Sequence, residues 1–138
     1  MPNSHILLCA PSNSATDTLA LRLAQGGLLK PNELLRLNDK DRTFAEVPDS
    51  IRAFCYVEED KFALPPFKTL MSYRVVVTCC LDANILVAAK CTNSFLTELE
   101  EAVMDSIHPI GTKHTASQPH WTHLLIDEAS ATSESCNE

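Results

Sequence analysis

The stretch His5-Ile6-Leu7-Leu8-Cys9-Ala10, closed by Pro11-Ser12-Asn13, decides the fold class. It is apolar without polar alternation and stops at turn residues, as a strand buried on both faces does. Strands of that kind belong to parallel sheets with helices packed on each side. Two further runs read alike: Arg74-Val75-Val76-Val77-Thr78-Cys79, rich in β-branched residues, and Thr122-His123-Leu124-Leu125-Ile126, which ends in Asp127-Glu128. Leu34-Leu35-Arg36-Leu37 adds a short fourth candidate.

Helical patterns separate these runs. Ser14 or Asn13 is placed to cap a helix with Leu19, Ala20 and Leu23 at helical spacing and Asp17 in its first turn, and Gly26-Gly27 ends it. Asn38 to about Pro66 reads as loop with a helical turn or two. Leu81–Ala89 reads as a short helix, and Asn93 as the cap of another whose apolar stripe is Leu96, Leu99, Val103 and Ile107, with Glu98, Glu100 and Glu101 on the wet side. Pro109–Pro119 reads as loop. Apolar strands alternating with helices indicate an α/β domain with a mostly parallel sheet, whose ligands bind beyond the carboxyl ends of the strands.

Composition narrows the function. The chain has 138 residues, 11 basic and 18 acidic side chains and a net charge of −7. That length fits one domain, and a hydrophobic fraction of 45% excludes a disordered tail. No apolar run reaches the ~18 residues of a membrane span, so no membrane role is expected. The start carries no Lys or Arg before Ile6 and does not read as a secretory signal. The acidic balance argues against nucleic-acid binding by bulk charge, so any such contact needs a local site. Six cysteines without a C-x-x-C pair, two of them adjacent in an apolar run, read as buried reduced thiols of a cytoplasmic or nuclear protein.

Three polar clusters fall at strand ends. Asp127-Glu128 after an apolar strand is how nucleotide hydrolases hold magnesium and polarise water, although acidic turns also follow strands for structural reasons alone. Pro11-Ser12-Asn13 at a helix start offers N–H groups and a hydroxyl to a phosphate, or is an N-cap and nothing more. Thr78 offers one hydroxyl at the same edge, or is simply a turn residue.

Together these segments resemble superfamily 1 helicases. His5–Asp17, with Cys9-Ala10-Pro11-Ser12-Asn13, looks like motif Ia. Val75–Cys80 resembles the motif Ic strand, and His123–Ser130 is similar to motif II, the Walker B box of the Asp-Glu-Ala type. Their order matches the first RecA-like domain of RNA helicases related to the nonsense-mediated-decay helicase, and in particular the armitage-like branch linked to RNA silencing. Arg36, Phe62–Pro66 before Tyr73-Arg74, and Trp121-Thr122-His123 also look like that branch. The resemblance implies ATP and Mg²⁺ as cofactors, Asp127 as the Mg²⁺ ligand and Glu128 as activator of the hydrolytic water. It further implies that Pro11, Ser12, Asn13 and Thr78 touch the backbone of single-stranded RNA, with a second RecA-like domain and silencing-complex proteins as partners.

The chain departs from that family in lacking G-x-x-x-x-G-K-[ST]. Gly111-Thr112-Lys113 lacks the first glycine and does not follow a strand. Ala131 stands where the family has glutamine. The expectation is a truncated domain over 1–138, a partial RecA-like P-loop NTPase fold without its P-loop strand, inactive when isolated. The competing readings are a non-catalytic remnant, a metal module built on His108, His114, His120, His123 and Cys136, and a thiol enzyme using Cys79-Cys80 with a distant histidine and Asp82. Trp121 reads as a packing anchor rather than a base-stacking platform.

Overall fold

The computed structural model describes residues 4–107 and 119–127. Four parallel strands form the sheet: β1 (Ile6–Ala10), β2 (Leu34–Leu37), β5 (Val75–Cys79) and β6 (His123–Ile126), in the order β2-β5-β1-β6. Between β2 and β5 lie two 3₁₀ turns (Phe44–Glu46 and Asp49–Phe54), a hairpin of β3 (Val57–Glu58) and β4 (Lys61–Phe62), and helix α2 (Phe67–Ser72). Helix α1 (Asn13–Gln25) follows β1, and α3 (Asn84–Ala88) and α4 (Asn93–Ile107) follow β5. The α/β class and the parallel sheet are therefore as expected.

Alternation along each strand divides the core into two layers. Ile6, Leu8, Leu34, Val75 and Val77 pack with Leu19, Leu23 and Ala24 of α1. Leu7, Leu35, Leu37 and Val76 pack on the opposite face with Leu70 of α2, Leu86 of α3 and Trp121. Every residue of β2 and β5 is buried. Each fully buried Val or Leu contributes about 1.5–3 kcal/mol, so these two strands carry much of the stability.

Several local expectations are corrected. The cap of α1 is Ser12, whose Oγ accepts the Ala15 N–H at 3.1 Å, and neither Asn13 nor Ser14. Asp17 lies beyond the first turn and is buried. Gly27, at φ 69°, supplies the left-handed residue after the helix. Asn93 is the first residue of α4, and its side chain serves Trp121 instead of the helix: Trp121 N–H donates to Asn93 Oδ1 at 2.9 Å and Asn93 Nδ2 donates to Trp121 O at 3.0 Å. Trp121 itself is 8% exposed and donates Nε1–H to Cys91 O at 2.8 Å, a packing anchor as expected.

Two apolar surfaces are less covered than their sequences imply. The α4 stripe is open, with Leu99 and Val103 both exposed. β6 pairs with β1 along its length, yet Leu124, Leu125 and Ile126 are each more than half exposed because, among the described residues, β6 is the sheet edge. Of the cysteines, Cys9, Cys79 and Cys91 are buried, but Cys55 is half-buried and Cys80 is exposed.

Candidate functional site

The parallel register brings three strand ends to one edge. Cys9 lies opposite Thr78 of β5 and Ile126 of β6. One step later the Cys80 N–H and the Asp127 N–H donate to Ala10 O and Cys9 O, each at 2.8 Å. Asp127 therefore leaves the sheet immediately beside the turn Pro11-Ser12 that starts α1. Its partly exposed carboxylate is a hard oxygen donor of the kind Mg²⁺ takes. Glu128, Ala131, Gly111-Thr112-Lys113, His108, His114 and Cys136 lie outside the described residues.

The other candidates are placed unequally. Ser12 and Asn13 are exposed and Pro11 is half-buried, so this turn presents polar groups to solvent. Both side chains already have structural partners: Ser12 caps α1, and Asn13 Oδ1 accepts from Arg36 Nη2 at 3.1 Å. Thr78 is completely buried and its hydroxyl donates to Cys79 O at 3.3 Å. The expectation that Thr78 offers a hydroxyl at the edge is corrected by that enclosure: residues of β5 are covered on both faces.

Behind Asn13 lies a charged network that sequence reasoning missed. Arg36, on the α1-facing side of β2, is 0% exposed. Its Nε donates to Asp17 Oδ1 at 2.9 Å and its Nη1 to Leu37 O at 2.6 Å. Arg42 grips the same carboxylate with two nitrogens, Nη1 to Oδ1 at 3.0 Å and Nη2 to Oδ2 at 2.6 Å. Arg42 also donates to Asn38 Oδ1 at 2.8 Å and Glu46 O at 3.0 Å. Burial pushes the Asp17 carboxyl up, but hydrogen bonds from Arg42 and Arg36 outweigh it and hold the group below the usual carboxylate range. An ionised Asp17 thus balances the buried Arg36 charge, and Arg36 in turn holds Asn13. A signal existed: Arg36 sits inside an otherwise apolar strand, and a buried charge demands a partner.

Histidines cluster at the opposite end of the sheet. His5 and His120 stack with ring centroids 4.2 Å apart, and His5 Nδ1 lies 2.8 Å from Tyr73 O. His120 Nε2 is buried without a hydrogen-bond partner, and burial followed by the nearby His5 lowers its pKa to about 4. His123 Nδ1 lies 2.9 Å from Thr122 Oγ1. Among the described residues no three His, Cys, Asp or Glu side chains are grouped to hold a metal, and no helix is long and apolar enough to cross a membrane.

No family model matches the chain, and no solved structure matches it. Curated proteins do. The chain is 29% identical over 134 residues, 97% of its length, to the RNA helicase Mov10l1 of Homo sapiens. It is 29% identical over 135 residues to the putative helicase mov-10-B.2 of Danio rerio. Over 89 residues, 63% of its length, it is 33% identical to the putative helicase MOV-10 of Gallus gallus. The matched stretches span 8%, 11% and 9% of those three proteins, so the chain corresponds to roughly a tenth of each.

Proposed function

From this kinship with MOV10-like RNA helicases we propose that the chain is part of the first RecA-like domain of an ATP-dependent superfamily 1 RNA helicase of the armitage-like branch. Its work is in RNA silencing, in the cytoplasm or nucleus. The single observation that carries the proposal is the shared edge, where the Asp127 N–H bonds to Cys9 O of β1, two residues before the Pro11-Ser12-Asn13 turn begins. A metal-binding carboxylate beside a polar turn is what coupling nucleotide hydrolysis to a polynucleotide groove requires.

In this reading Asp127 would hold Mg²⁺, which when bound would supply positive charge against the nucleotide's phosphates. Glu128 accepts the proton of the attacking water. Pro11, Ser12 and Asn13 touch the sugar–phosphate backbone, with the rigid Arg36–Asp17–Arg42 network fixing the pose of the turn through Asn13. Thr78, being enclosed, serves as packing in place of an RNA contact. These 138 residues contain no glycine-rich lysine loop. Because such loops supply most of the phosphate affinity, the isolated chain turns over no ATP. Magnesium-dependent turnover that vanishes in Glu128→Gln would overturn that statement.

The RNA arm is tested by photocrosslinking single-stranded RNA carrying 4-thiouridine to the chain and mapping the adduct. Crosslinks at Pro11–Asn13, reduced by raising salt, support the reading. Crosslinks confined to other segments, or none at a concentration where a control helicase labels fully, reject it.

A further inference from the structure

We propose that Cys9 and Cys80 are a reversible dithiol–disulfide pair, a peroxide-sensitive oxidation site at the base of the Pro11 turn. Nothing in the proposed helicase reading requires it. The geometry points to this pairing over the alternatives. Cys9 is opposite Thr78, and the Cys80 N–H continues the β1–β5 ladder by donating to Ala10 O at 2.8 Å. Alternation then sends Cys9 and Cys80 to the same face of the sheet, the one carrying Leu7 and Val76, and sends the neighbouring Cys79 to the other. The Cys79 thiol instead donates to Pro11 O at 3.7 Å. On their shared face the Cys9 and Cys80 side chains are neighbours lining the same groove.

Access and reactivity divide between the two sulfurs. Both line an open groove of about 370 Å³ whose other walls include Leu86, Trp121 and Ile126. Cys80 is exposed and Cys9 is buried, so a small oxidant meets Cys80 first. Burial, then the neighbouring Cys80 and Cys79 thiols, push Cys9 up to about 11, which keeps it protonated in the resting pair. The Cys80 thiolate attacks the O–O bond of a peroxide, forming S–O and releasing hydroxide, which becomes water. The Cys9 sulfur then attacks the Cys80 sulfur. The S–S bond forms, the S–O bond breaks, and the departing hydroxide leaves as water with the Cys9 proton. Two thiols are oxidised and one peroxide is reduced to two waters. Since both side chains lie on one face of adjacent strands and line the same groove, closure needs a local shift that brings the pair to disulfide geometry.

The test treats the native 138-residue chain with hydrogen peroxide, traps remaining thiols, and measures intact mass and the fragment spectra of its peptides. The expected result is loss of the mass of two hydrogens, restored by dithiothreitol, with fragment ions assigning the bridge to Cys9 and Cys80. Cys80→Ser abolishes the loss and Cys91→Ser leaves it unchanged. A bridge to Cys79, a Cys79–Cys80 ring, or sulfinic acid on Cys80 with Cys9 still alkylatable overturns the proposal. Because the wild-type map alone decides among these outcomes, a variant that fails to fold does not obscure the answer.

Discussion

Replacing Asp17 by Asn is the most incisive perturbation of this fold. Asp17 receives three hydrogen bonds from Arg36 and Arg42, at 2.9, 3.0 and 2.6 Å. Asparagine keeps the shape but removes the charge and turns an amide N–H₂ toward guanidinium donors. Arg36, with no exposed surface, is left as an uncompensated buried cation. Breaking one side of a buried pair costs about 3–5 kcal/mol. Leu37 O and Asn13 Oδ1 still accept from Arg36, which argues for the low end, about 3 kcal/mol. That is a large share of the ~5–15 kcal/mol available to a domain. With a urea slope of about 1–3 kcal/mol/M, the midpoint falls by roughly 1–3 M. The pH dependence is a second readout. Asp17 has a folded pKa below its ordinary 3.8, so its stabilisation is fully present above that pH and is lost as pH falls through the lower folded value. The gap between parent and variant therefore narrows progressively as the pH falls below about 4. A loss under about 1 kcal/mol at neutral pH, or a gap that does not narrow at all as the pH falls below about 4, would refute the assignment of Asp17 as the ion that balances Arg36.

Other tests address single elements. His120 is neutral in the fold with a pKa of about 4 against 6.5 unfolded. Stability is thus complete above pH 6.5 and declines toward pH 4, by on the order of 1–2 kcal/mol after allowing for its partial exposure, and a melting series in His120→Phe should be flat across that window. Ser12→Ala removes the cap of α1 and lowers stability by about 1 kcal/mol, whereas Ser12→Asp retains it, as thermal unfolding will register. Gly27→Ala places a Cβ at φ 69° and costs about 1 kcal/mol by the same measurement. Trp121→Phe leaves the Cys91 carbonyl without its Nε1 donor and costs about 1–3 kcal/mol, with faster hydrogen exchange at the start of α4.

Much of the architecture could be read from residue patterns because buried parallel strands have few look-alikes. Ile6–Ala10 and Val75–Cys79 are visible as continuous apolar runs, and their parallel direction follows once the connecting helices must lie on the faces. What escaped depends on contacts distant in sequence. Asn93 looks like a helix cap until Trp121, 28 residues on, is seen to occupy both ends of its amide. The β3–β4 hairpin turns through Glu59 and Asp60 at φ 51° and 62° without the glycine or asparagine that usually announces such a turn. The Arg36–Asp17–Arg42 network joins a strand, a helix and a loop, and only the charge within Leu34-Leu35-Arg36-Leu37 hinted at it. The strand-end candidates were legible as positions, but not which side chains face solvent: Thr78 is enclosed, while Ser12 is committed to capping its own helix.

The place of β1 at the centre of the sheet shapes how the chain must be born. Ile6 pairs with Val75 on one side and His123 on the other, 69 and 117 residues downstream. At a synthesis rate of about 5–20 residues per second, the first strand leaves the ribosome roughly 3–14 s before one neighbour and 6–23 s before the other. Until β5 emerges this apolar five-residue segment has both hydrogen-bonding edges bare, and until β6 emerges it still has one. Helix α1 shields only one of its sides. Ile6–Ala10 is thus the strand whose full pairing waits on the latest-made part of the sheet.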